Sequence, residues 1–109
     1  MISIRNPEQI TNAIATGSVV VVKFGASWCG PCQILAPHVH HLAQEFEPQG
    51  VIFFDVDVKG EELTEYAIEN GARTVPYTQI YVKGSLLGFV KGNQPDGIRN
   101  GILAALSHQ

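Results

Sequence analysis

Cysteine is scarce in this chain of 109 residues: there are two, at positions 29 and 32. A small secreted domain stapled by cross-links carries several cysteine pairs, so a single close pair argues against that class. A zinc site built on the pair lacks the second pair that would supply four ligands. His38, His40 and His41 would have to complete it, and they lie beyond Pro37, more than a turn from Cys32. Charge is also sparse. Charged residues make up 16% of the chain and the formal net charge is −3, which gives no basic field for nucleic acid or an anionic membrane. The longest aliphatic run, Val19 to Val22, is far short of the roughly 20 residues a membrane helix needs. The segment from Met1 to Pro7 has neither the basic nor the apolar part of a secretion signal, so a reducing, cytoplasmic location is expected. No repeat, linker or low-complexity stretch is visible. Residues 1–109 therefore read as one domain, large enough to bury a core.

The hydrophobic pattern is that of an α/β protein. Asn6-Pro7-Glu8-Gln9 is a helix start, with Asn6 as cap, and Ile10, Ala13 and Ile14 follow at helical spacing until Gly17. Val19 to Phe24 and Val51 to Val58 read as strands covered on both faces. Between them, Leu35, Val39, Leu42 and Phe46 mark a helix from Cys29 to about Glu47, continuing in register beyond Pro37. Gly60 to Gly71 is a shorter helix that turns Leu63, Ala67 and Ile68 inward and its glutamates outward. Tyr77 to Val82 and Leu86 to Val90 form a hairpin about Lys83-Gly84-Ser85. A last helix from Pro95 buries Ile98, Ile102, Leu103 and Leu106, although Gly97 and Gly101 each cost it roughly 1 kcal/mol. A short strand at Ile2 to Ile4 completes a sheet that is parallel in its first half and antiparallel in its second.

One constellation carries chemistry. Trp28-Cys29-Gly30-Pro31-Cys32 follows a Val-rich strand and opens a helix. Pro37 stands eight residues after the first cysteine, and Thr74-Val75-Pro76 precedes a later strand. In these features the chain resembles the thioredoxin family over about residues 18–107. The resemblance implies a thioredoxin fold, a central mixed sheet flanked by helices, with the motif at a strand's C-terminal end.

Thiol–disulfide exchange needs a thiolate attacker and a second thiol to resolve the mixed disulfide. At the helix N-terminus, free backbone N–H groups and about half a positive charge favour an anion on Cys29. Such settings lower the first thiol's pKa to about 3.5–7.5. Cys29 is thus expected to be the exposed nucleophile and Cys32, one turn on and facing inward, the resolving thiol. Gly30 admits a substrate backbone, Pro31 stiffens the turn, and Trp28 supplies an apolar platform. By resemblance, Pro76 is cis and lies against the disulfide, Val75 pairs with the substrate chain, Pro76 keeps metal from the thiols, and Gly92 lets a partner surface come close.

Three positions depart from the family pattern. Relatives carry a buried aspartate on the strand before the motif, held to assist proton transfer at the resolving cysteine, where this chain has Lys23. The basic residue that often follows the second cysteine is Gln33, and Gly25 replaces an aromatic or small polar residue. Lys23 has two readings: its ammonium reaches water along the core edge, or it lies near Cys32, where it tunes the thiol pKa values or, losing its proton on desolvation, serves as a base. A cation there stabilises thiolates and makes the couple more oxidising. His38 and His41 share a helix face and read as solvated, as does the Glu61-Glu62-Glu65 cluster. Asp55 and Asp57 read as the polar end of a strand.

The expected function is reduction of protein disulfides, with no bound cofactor beyond the redox-active Cys29–Cys32 disulfide. By resemblance, an NADPH-dependent flavoprotein, thioredoxin reductase, is the electron donor. The chain itself has no nucleotide-binding fingerprint. The partners expected are disulfide-containing proteins, with no nucleic acid, membrane or metal, and the protein is expected to be a monomer. Two alternatives stand beside this: a thiol oxidase or isomerase, and an interaction module specialised for one partner with redox activity secondary.

Overall fold

Strand β2 (Val20–Gly25) is the centre of the molecule, and all six of its residues are buried. The computed structural model describes all 109 residues. Strand β3 (Ile52–Asp57) lies parallel to β2 on one side, and β4 (Tyr77–Val82) lies antiparallel on the other. The two-residue β1 (Ile2–Ser3) and the hairpin partner β5 (Ser85–Lys91) form the edges, giving the order β1-β3-β2-β4-β5. Four helices connect and cover the sheet: α1 (Glu8–Ala15), α2 (Gly30–Phe46), α3 (Glu61–Glu69) and α4 (Pro95–Ser107).

Strand alternation decides which helix covers which face. Val21 joins Leu35, Val39 and Phe46 of α2 and Ile98 and Ile102 of α4 in one core. Val20, Val22 and Phe24 point the other way, to Ile10 of α1 and Ala67 of α3. A sheet between two helical layers results, the α/β thioredoxin fold. Lys23 continues the face of Val21, which aims it beneath α2.

Most element boundaries fall within a residue or two of those read from the pattern, and α2 runs on through Pro37. At α1, Pro7 takes the cap position while the Asn6 carboxamide oxygen accepts the Glu8 N–H at 3.0 Å. The hairpin turns on Lys83 and Gly84, both at positive φ, the twist that suits antiparallel strands. Two expected core residues face water instead: Ile68 and Leu103 are each 45% exposed. Each follows a buried stripe residue, Ala67 or Ile102, and one helical step of about 100° carries it out of the core. Gly101 is more than a helix-weakening residue. A Cβ there would overlap Cδ1 of Ile80, so its lack of a side chain lets α4 settle onto β4.

Candidate active site

The end of β2 delivers the chain to its two cysteines. Cys29 is the N-cap of α2 in extended conformation, and Cys32 lies in the first turn. The two are joined as a disulfide with Cα atoms 5.3 Å apart. The Cys32 N–H donates to Cys29 Sγ at 3.2 Å. An N–H of the first helical turn therefore points at the Cys29 sulfur.

Exposure does not separate the two sulfurs as expected. Cys29 is 5% exposed and Cys32 3%, because Ala26 and Val75 pack against the pair. Position separates them: Cys29 Sγ lies at the helix mouth, 3.7 Å from the Val75 carbonyl oxygen. Cys32 Sγ lies on the inner side, next to Gly25.

The other motif residues surround this point. Trp28 is 78% exposed, an indole in water beside a buried sulfur, and no part of the core. Gly30 and Pro31 are exposed, Val75 is half-buried and Pro76 is buried. The Val75–Pro76 peptide is cis. Gly92 adopts φ of 79°, a left-handed conformation that favours glycine, and its N–H donates to the Pro76 carbonyl at 2.8 Å. Trp28, Gly30, Pro31, Val75, Pro76 and Gly92 are thus gathered from three separate segments. Gln33, neutral where relatives are often basic, donates from Nε2 to the Ser27 carbonyl at 2.7 Å and ties the motif loop to its own helix.

Lys23 is buried, with 5% of its surface exposed. Its ammonium lies 3.3 Å from Oδ1 of Asp55, its register partner on β3. Lys23 Nζ and Cys32 Sγ both lie 3.6 Å from the point a Gly25 Cβ would occupy, hence within about 7 Å of each other. Asp55 is therefore more than the polar end of a strand. It answers a buried cation, and only the cross-strand register reveals that. A cleft of about 650 Å³ opens here, lined by Arg5, Lys23, Cys32, Asp55, Asp57 and Lys59 among others. Thr78, across from Lys23 on β4, is fully buried and its hydroxyl has no partner.

His38 and His41 are exposed, away from the sulfurs, and share a shallow cleft with Asp96. Beside them Arg99 grips Glu45 with both guanidinium nitrogens, the Nη2–Oε2 bond being 2.7 Å. That pairing holds the Glu45 carboxyl below its ordinary pKa and Arg99 above its own.

The sequence matches the family model described as Thioredoxin over residues 2–104. The chain belongs to the thioredoxin family. It is 38% identical to an H-type thioredoxin of Oryza sativa subsp. indica, over 87% of this chain and 75% of that one. It is 32% identical to thioredoxin-1 of Saccharomyces cerevisiae, over 92% and 93% of the two chains. Among solved structures, thioredoxin of Trypanosoma brucei brucei superimposes with a TM-score of 0.87 at 26% identity, over 98% of this chain and 91% of that one. Oxidised mitochondrial thioredoxin 3 of Saccharomyces cerevisiae gives 0.84 at 29%, over 95% and 94%. Thioredoxins are protein-disulfide oxidoreductases, and a cysteine pair at disulfide distance supplies the means. This protein is a thiol–disulfide oxidoreductase whose redox group is the Cys29–Cys32 disulfide. No helix is long and apolar enough to cross a membrane.

Proposed function

We propose that the protein is a general protein-disulfide reductase of the cytoplasm, with Cys29 as nucleophile and Cys32 as resolving thiol. One observation carries the division of labour: the Cys32 N–H points at Cys29 Sγ at the N-terminus of α2. An anion on Cys29 meets that N–H and the positive end of the helix, whereas Cys32 has neither. Cys29 attacks a substrate disulfide and forms a mixed disulfide. Cys32 then attacks Cys29 Sγ and expels the second substrate thiolate. The substrate chain lies along Val75 and Pro76, over Gly30 and Pro31, with Trp28 and Gly92 forming the walls. Lys23 tunes the thiols: a unit charge at about 7 Å and an effective dielectric of about 20 is worth roughly 2 kcal/mol before the opposing charge of Asp55 is counted.

The electrons come from an NADPH-dependent flavoprotein reductase. The reductase reading is tested by coupling NADPH oxidation, through such a reductase, to reduction of a generic protein disulfide. Turnover that disappears in Cys29→Ser is the expected result. No turnover with a competent reductase, together with retained binding to one native partner, would favour the interaction module instead. Lys23 gives a second redox reading a specific basis, because a buried cation near Cys32 raises the potential. Equilibration of the couple against glutathione separates reductant from oxidant.

A further inference from the structure

Resolution of the mixed disulfide requires Cys32 to lose a proton, and the charged groups around it are few. The first turn of α2 offers Gly30, Pro31 and Gln33, none of which titrates, and the facing residue of β4, Thr78, is neutral. Charge comes from Lys23 on β2, Asp55 and Asp57 on β3, Arg5 before α1 and Lys59 after β3, all lining the cleft that Cys32 also lines. Three of these five are basic side chains, and Lys23 already faces Asp55. Of the two carboxylates, Asp57 is exposed and has no ion-pair partner, while Asp55 is half-buried and held by the Lys23 ammonium at 3.3 Å.

We propose that Asp55 accepts the Cys32 thiol proton, through water in this cleft, and that Lys23 is the positioning residue that holds its carboxylate there. The inference rests on the reading of Cys32 as resolving thiol. The S–H bond of Cys32 breaks and its proton passes by way of water to the Asp55 carboxylate. The sulfur's electron pair forms the S–S bond to Cys29, and the bond from Cys29 to the substrate sulfur breaks with its pair leaving on the substrate thiolate. Asp55 then returns the proton to solvent at its exposed edge, and solvent protonates the thiolate. Two electrons have passed from the dithiol to the substrate. Lys23 draws the developing thiolate and the carboxylate to the same cavity.

Reaction of the reduced protein with Ellman's reagent separates the two steps. The first equivalent of thionitrobenzoate reports attack by Cys29, and the second reports resolution by Cys32. Followed by stopped flow from pH 5 to 9, Asp55→Asn is expected to slow the second phase about 10-fold or more near neutrality. The first phase should change less than about two-fold, and the deficit should shrink as pH rises and hydroxide takes over as acceptor. Asp55→Glu should restore most of the rate, and Asp57→Asn should leave both phases unchanged. A second phase in Asp55→Asn as fast as wild type, or faster because an unmasked Lys23 lowers the thiol pKa, overturns the proposal. So does a loss confined to Asp57→Asn. A wild-type protein that releases no first equivalent overturns the reading of Cys29 beneath it as well. Asp55 is partly open to water, so Asp55→Asn should fold, and its thermal melt checks this.

Discussion

The two faces of the sheet each bury a polar group, and they treat it in opposite ways. On the face covered by α1 and α3, Gln79 is 2% exposed and its amide is answered at both ends. It donates to the Asn70 carbonyl at 2.8 Å and accepts from the Tyr81 hydroxyl at 2.7 Å. On the face covered by α2, Lys23 has one partner at 3.3 Å, the Thr78 hydroxyl has none, and the assembly opens onto a cleft beside a reactive sulfur. Buried polarity closed upon itself specifies a fold, because every alternative packing strands a donor or acceptor. Buried polarity left half-answered is available to chemistry.

The largest effect expected from this contrast is on stability alone. Gln79→Ala strands the Tyr81 hydroxyl and the Asn70 carbonyl and leaves a void, a loss of about 2–3 kcal/mol in urea unfolding. Its reduction potential should match wild type, and a shifted potential would break the division between the faces. Next comes the reverse case. Lys23→Asp should raise the thiol pKa values by about one unit or more and lower the potential by about 30 mV. Unchanged thiol titration curves in that variant would remove Lys23 from the mechanism.

A smaller effect concerns alkaline pH. Burial first, and then the neighbouring Tyr66 and Tyr77, push the Tyr81 phenol up from 10.0 to about 12. The folded state therefore holds this proton more tightly than the unfolded chain does. The resulting stability is complete below pH 10 and is lost as pH rises through about 12. Tyr81→Phe should cost about 1 kcal/mol at neutrality and flatten the alkaline limb of the urea midpoint against pH. The least effect belongs to Thr78→Val, which replaces an unpartnered buried hydroxyl by a methyl and should stabilise by up to about 1 kcal/mol. A loss of stability there would mean that the hydroxyl has a partner in solution.

What the sequence made legible was local. The β-branched runs, the helical stripes, the Lys83-Gly84 turn and the cysteine motif each depend on residues a few positions apart, and each was found in place. What escaped depends on residues distant in the chain. Asp55 looked like a strand end because its partner lies 32 positions away and only the parallel register joins them. The burial of Cys29 depends on Val75, and the value of Gly101 depends on Ile80. Ile68 and Leu103 were misplaced for a different reason: two adjacent apolar residues on a helix cannot both lie at the centre of its buried face.

The notch at Gly101 reaches further than packing. Ile80 seats in it, and the strand that carries Ile80 begins at Tyr77, directly after Pro76. Helix α4 is thereby keyed to the position of β4. A larger residue at 101 has to displace the Cδ1 end of Ile80 or lift the helix from the strand, so a change on α4 bears on the strand that follows the cis-proline. Position 101 should therefore tolerate substitution poorly, although it lies outside the cysteine motif.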